Sequence, residues 1–264
     1  VHDTPSEVHY MFKRILVGTA VAAAGWAAYY NIRRWWETWG VDPGEAGREL
    51  PGDDIVAHAS AVDTRGITID APPEAVWPWL VQMGFGRAGW YSYDRLDMRG
   101  ESADRIVPEW QRLEVGDTLP THPDGGFEVR VLDPGRALVL YVDSAMAERW
   151  TAKAREKVAE TTPPGLAASG RFLETSMPRE FAASWAFLVE PAAEGRTRLI
   201  ERFRYRATDG GAGARAMGAL LGFGVFVMEQ RHMVGLRQRV EAHAGTSTPE
   251  AAGAEESTEV LQPA

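Results

Sequence analysis

The chain has 264 residues, a formal net charge of −9 and no cysteine. The missing cysteine excludes a disulfide framework, a thiolate nucleophile and Cys-ligated zinc. The acidic balance, with no basic run longer than a pair, excludes a nucleic-acid surface. Apolar residues at 45% and charged residues at 25% are ordinary globular composition, enough for one core of roughly 190 residues once the weak ends are set aside.

The first segment reads as a membrane anchor, residues 1–39. From Ile15 to Tyr30 no charge occurs, with Lys13 and Arg14 before it and Arg33 and Arg34 after it. Counted through Ile32 the stretch has roughly 18 residues, near the low end of the roughly 17 to 25 that a spanning helix needs. Tyr29, Tyr30, Trp35, Trp36 and Trp39 beside the two arginines supply the aromatic and cationic belt expected at headgroup depth. The expectation is a single-pass transmembrane or anchor helix in the cell membrane, its orientation left open by the symmetric flanks. The competing readings are a cleaved signal peptide, with an A-x-A triplet at Ala22 to Ala24, and a helix packed on the domain. Met11-Phe12-Lys13-Arg14 resembles a translation start with a positive leader region.

Residues 40–54, with Pro43, Gly44, Gly47, Pro51 and Gly52, read as a linker. The domain itself runs over residues 55–243. Ile67 to Asp70 alternates as a strand, and Ala71-Pro72-Pro73-Glu74 opens a helix to about Met83, since proline is tolerated in a first turn where its N–H has no partner. Pro78 lies beyond that turn and marks a kink or weak point. Alternation returns in Phe127 to Leu132, Ala137 to Val142, Phe181 to Val189 and Arg196 to Arg206, with Asp133-Pro134-Gly135 and Glu194-Gly195 as turns. Between the second and third of these strands, residues 144–178 form an insertion. Its first half, Ala145 to Glu160, reads as a helix stopped by Pro163 and Pro164, serving as a lid or as a solvated surface insertion. From about Gly213 to His243 proline is absent and Met217, Leu220, Leu221, Met228, Val234, Leu236 and Val240 recur at helical intervals. Residues 244–264 are too poor in apolar surface to order and read as a disordered tail. An order of strand, short helix, antiparallel strands and long final helix is α+β, with the helix covering one sheet face.

Five segments carry a resemblance: Ile67 to Gly84 (ITIDAPPEAVWPWLVQMG), Gly89 to Asp94 (GWYSYD), Ala103 to Asp117 (ADRIVPEWQRLEVGD), Thr197 to Tyr205 (TRLIERFRY) and Met228 to Glu241 (MEQRHMVGLRQRVE). In this order they resemble the SRPBCC, or START-like polyketide-cyclase, superfamily over about residues 55–243. The resemblance implies a helix-grip fold, an antiparallel sheet wrapped around a long C-terminal helix. It also implies a cavity between sheet and helix that holds lipids, isoprenoids, polyketides or other apolar ligands, a minority of members catalysing cyclisation or related chemistry.

Motif chemistry is sparse. Gly84-Phe85-Gly86-Arg87-Ala88-Gly89 matches G-x-G-x-x-G, but it follows a helix and runs into Trp90-Tyr91-Ser92-Tyr93, the wrong setting for a dinucleotide loop. The six histidines form no H-x-x-x-H or H-E-x-x-H pattern, and no G-x-S-x-G elbow occurs. No metal and no cofactor are expected. The candidate ligand-binding residues are Arg87, Trp90, Tyr91, Tyr93 and Asp94 at a pocket mouth, Glu201, Phe203 and Tyr205 on one strand face, and Met228 on the final helix. Glu201 on an inward face is either a carboxylate of raised pKa, serving as acid, base or ligand hook, or half of an ion pair with a neighbouring arginine. Glu229 and His232 on the final helix carry the same two readings. Gly218 and Gly222 form G-x-x-x-G in an apolar run too short to span a membrane, which fits a helix packed closely on the sheet. Three functions follow: a membrane-tethered binding or transfer module for an apolar molecule, a cyclase or dehydratase using the same cavity, and a ligand-free membrane-tethered interaction protein.

Overall fold

The computed structural model describes residues 5–97, 101–123, 125–159, 180–208 and 212–247. Six strands form one antiparallel sheet: β1 (Ala61–Ile69), β2 (Thr118–His122), β3 (Gly125–Asp133), β4 (Ala137–Asp143), β5 (Phe181–Pro191) and β6 (Thr197–Ala207). Their spatial order is β1-β6-β5-β4-β3-β2, so the first strand closes onto the last. The helices are α1 (Pro5–Glu37), α2 (Pro43–Gly47), α3 (Pro73–Val81), α4 (Asp94–Asp97), α5 (Ser144–Ala159) and α6 (Ala212–Ser247). The architecture is α+β, with the C-terminal helix on one sheet face.

Register fixes which residues share that face. Arg65, Glu201, Phe187 and Leu138 lie side by side across β1, β6, β5 and β4, and the next row is Asp63, Phe203, Trp185 and Leu140. Because side chains alternate along a strand, both rows point the same way, toward α6. Met233, Leu236 and Val240 of α6 join Trp79 and Leu80 of α3 and the sheet residues Leu138, Leu140, Phe187, Val189 and Leu199 in one buried cluster. Gly235 lets α6 approach the loop that carries Tyr91: a Cβ there would collide with the Tyr91 carbonyl.

β1 begins at Ala61, six residues before the alternation legible in sequence, because Asp63 and Arg65 face inward where apolar residues are expected. β2 escaped the sequence reading altogether; Pro120 argues against a strand except at an edge, and an edge is where β2 lies. α3 keeps Pro78 inside it and ends at Val81, two residues short of the expected Met83. Asp143 caps α5 by accepting the Met146 N–H at 2.8 Å, and Trp150 of α5 lies against His122 of the edge strand β2 and Gly125 of its neighbour β3. The second half of the insertion, 160–178, and the tail beyond Ser247 fall outside the described residues, as do the side chains of Gly218 and its neighbours.

Residues 42–57 lie on the opposite, outer face. Asp42 caps α2 through a reciprocal capping box with Glu45. Leu50 is buried with Ala137, Leu188 and Ile200 in a second, smaller apolar cluster. Arg202 donates to Asp53 at 2.7 Å, to the Arg48 carbonyl at 2.8 Å and to the Ala46 carbonyl at 2.9 Å, while Arg198 holds Glu45 and Arg204 holds the Val56 carbonyl.

α1 is helical as the hydropathy requires, but a spanning assignment gains no support from it. Among the described residues no helix is long and apolar enough to cross a membrane. Alanine, glycine, threonine and Asn31 dilute the aliphatic residues that a span needs. The C-terminal end of α1 docks on α6, with Trp35 against Phe226 at 5.3 Å and Trp36 against Phe223 at 5.3 Å between ring centroids. Upstream of that contact Leu16, Val17, Val21, Trp26 and Tyr30 are exposed.

Candidate functional site

The inner face holds a buried charged cluster where α1, α6, β1 and β6 meet. Arg65 lies across from Glu201 in register, and its neighbour on the same face two residues away is Asp63. One turn apart on α6, Glu229 and His232 share a helix face that descends on these strands. The Arg65 guanidinium donates to Glu229, to Asp63 at 2.9 Å and, through Nε, to the Trp36 carbonyl at 3.0 Å. That carbonyl belongs to the last turn of α1, where the helix leaves acceptors without partners and a cation is favoured. The Phe226 ring lies 5.5 Å from the guanidinium carbon.

Glu201 is 1% exposed and bonded differently from the ion pair anticipated for it. Arg65 spends its donors elsewhere, and Glu201 Oε1 accepts the indole N–H of Trp185 at 2.7 Å. Its other oxygen, Oε2, has no partner among the described residues. His232 mirrors this arrangement. Its Nδ1 sits 2.6 Å from the Trp90 carbonyl, while Nε2 is buried and unpartnered. Trp185 joins the two groups, since its ring lies 6.2 Å from that of His232 and stacks on Trp90 at 5.3 Å.

Three carboxylates around one guanidinium cannot all ionise at low cost away from water. Burial raises Glu201 to about 7, against the opposing pull of Arg65 and the Trp185 hydrogen bond. Burial, reinforced by the charge of Glu201, raises Glu229 well above the usual carboxylate range, and burial also raises Asp63. Arg65 loses solvation on burial, yet Glu229, Asp63 and Glu201 together hold its pKa above the ordinary value. Burial lowers His232 to about 4, leaving a neutral imidazole near neutrality. The cluster thus combines a carboxyl that keeps its proton with an imidazole that declines one.

The residues singled out in the sequence divide into four groups. Glu201 and Trp90 belong to this cluster. Phe203 and Tyr205 continue the same strand face, where burial changes from complete at Glu201 to partial; Tyr205 stacks on Phe181 at 6.2 Å. Arg87, Tyr91 and Asp94 are tied to the loops: Arg87 donates to the Val81 and Trp110 carbonyls, Tyr91 donates to the Trp79 carbonyl at 2.9 Å, and Asp94 accepts from Ser102. Burial pushes the Tyr91 phenol up, so it stays protonated. Tyr93 and Met228 are partly exposed, and the Met228 carbonyl accepts the Ser92 hydroxyl. Arg65, Asp63 and Trp185 were not among the sequence candidates. Their parity was readable: Asp63 and Arg65 alternate in step with Ile67 and Ile69, and Trp185 in step with Phe187 and Val189. Among the described residues no group of three or more His, Asp or Glu is arranged to hold a metal ion.

No family model matches the chain, and no curated protein matches it. Among solved structures, the X-ray crystal structure of protein MLL2253 from Mesorhizobium loti is similar over 69% of this chain and 98% of that chain, at 14% sequence identity and a TM-score of 0.33. A similarity at that level transfers neither fold family nor function.

Proposed function

We propose that this protein is a START-like helix-grip domain that binds an apolar small molecule, a lipid, isoprenoid or polyketide-like compound, between its sheet and α6. The observation that carries the reading is the pair of buried, unpartnered polar atoms, Glu201 Oε2 and His232 Nε2, set around Trp185 where the Arg65 cluster gives way to the aromatic and aliphatic part of the face. Native proteins seldom leave such atoms unsatisfied, and a binding site is one place where they recur. The ligand body lies along Trp185, Phe203, Tyr205 and Phe181, where the inner face passes from buried to half-buried. Neither a segment-by-segment resemblance nor a sheet with a covering helix selects one ligand class; the aromatic lining favours flat or chain-like apolar bodies.

Membrane attachment through α1 belongs to the same proposal. Its support is the exposed run Leu16, Val17, Val21, Trp26 and Tyr30, together with the Arg33, Arg34 and Trp35 belt beside the docked end. Native mass spectrometry of the full chain from a membrane fraction tests both parts. A copurifying apolar mass is the expected result; a ligand-free protein whose melting temperature no fatty acid, isoprenoid or aromatic polyketide raises would leave only an interaction protein. Recovery of the full chain entirely in the soluble fraction would remove the membrane attachment.

A second reading, a cyclase or dehydratase, is favoured by one observation. Glu201 keeps its proton to about 7 while His232 stays unprotonated down to about 4, so an acid and a base stand beside the same indole. A bound compound recovered with altered mass after incubation at pH 6 would establish catalysis.

A further inference from the structure

We infer that the polar end of the ligand is an uncharged hydroxyl, held between Glu201 Oε2 and His232 Nε2; this rests on the binding reading above. The Trp90 carbonyl only accepts, so the His232 Nδ1 facing it at 2.6 Å carries the ring proton and Nε2 presents a lone pair. Glu201 Oε1 is occupied by the Trp185 N–H at 2.7 Å, so the proton of the neutral carboxyl belongs on Oε2, where it is a donor. One unpartnered acceptor and one unpartnered donor therefore adjoin the same indole. A hydroxyl matches both: its O–H donates to His232 and its oxygen accepts from Glu201. A carbonyl satisfies only the donor. An ammonium has no lone pair for the Glu201 proton. A carboxylate or phosphate adds negative charge to a cluster that already sets Asp63, Glu201 and Glu229 around Arg65, and the Arg65 donors are engaged by Asp63, Glu229 and the Trp36 carbonyl. An anion would enter with no free cation in the cluster to receive it.

Matched probes test this on the full chain at pH 6: dodecan-1-ol, dodecanoate and dodecylamine, with 2-naphthol and 2-naphthoate as a second skeleton. Binding is read by native mass spectrometry and by tryptophan fluorescence. The alcohol of at least one skeleton should bind about tenfold or more tightly than its acid and amine counterparts. His232→Phe and Glu201→Leu should each weaken alcohol binding about tenfold. Glu201→Gln should hold it within about threefold, because the amide places an N–H donor where Oε2 stood. If an acid or amine binds as tightly as its alcohol in every skeleton that binds, the hydroxyl inference is overturned and the ligand reading stands. Loss of alcohol binding in Glu201→Gln, with an unchanged melt, also overturns it. No binding by any probe of either skeleton removes the inference and the ligand reading together.

Discussion

The two faces of the sheet treat buried arginines in opposite ways. On the outer face Arg202 meets Asp53, three backbone carbonyls and the Thr64 hydroxyl, and the carboxylate and guanidinium in reach are paired. On the inner face Arg65 is outnumbered by Asp63, Glu201 and Glu229, and two neighbouring polar atoms have no partner. Around Arg202 the arrangement has the character of a structural clamp, because each of its own donors has an acceptor and little is gained by adding a ligand, although Arg48 Nε nearby has no partner among the described residues. The inner one is left with charge imbalance and unused hydrogen-bonding capacity, a state that folding alone does not reward.

The strongest way to break this comparison is to remove each arginine. Arg65→Ala leaves the buried Glu229 and the partly buried Asp63 without their shared guanidinium and should cost about 3–5 kcal/mol, read by urea unfolding near neutral pH. Arg202→Ala should cost about 2 kcal/mol, since Asp53 keeps Arg204 as a cation at 3.4 Å and the other acceptors set free are uncharged. An equal or larger loss at Arg202 would mean that the inner cluster is already hydrated.

A finer distinction lies in pH. Glu201, raised from 4.5 to about 7 in the folded protein, contributes stability that is full below about 4.5 and is lost as pH rises through about 7. His232, lowered from 6.5 to about 4, contributes stability that is full above 6.5 and is lost as pH falls through about 4. Between about 4.5 and 6.5 the two slopes oppose each other. Glu201→Gln should therefore make stability rise more steeply with pH across that window, by about 1.4 kcal/mol per pH unit relative to the native chain. His232→Gln should shift the slope by a similar amount in the opposite direction. Unfolding curves at several pH values in that window check both signs, and a matching shift in both variants would contradict their burial. The smallest effect belongs to the outer face: Asp42→Ala removes the α2 capping box at a cost of about 1 kcal/mol or less, with no change in the pH slope.

Much of the frame was legible before the fold. The alternation in Phe181 to Val189 and Arg196 to Arg206, the turns between strands and the proline-free run to His243 are local signals, and each became the strand, turn or helix that its period required. Glu201 was legible as an inward carboxylate because parity along β6 is a local property too. β1 was only half legible: charged residues at inward positions mimic a solvated segment unless Ile67 and Ile69 are followed backward. Residues 42–57, rich in glycine and proline, gave no sign that they would lie against the outer sheet face, since that contact is made by arginines of β6 roughly 150 positions away in sequence.

What the sequence by itself determined is therefore the set of elements and the face on which each side chain stands, because backbone period and steric preference act between near neighbours. Only the tertiary structure decided that Arg65 pairs with Glu229 across a separation of 164 residues, that Trp185 takes one oxygen of Glu201, and that Trp90 fixes the proton of His232. These are choices among distant partners, and they are made by the packing of α6 and α1 onto the sheet, where burial strips water from the charges and gives each remaining hydrogen bond its weight.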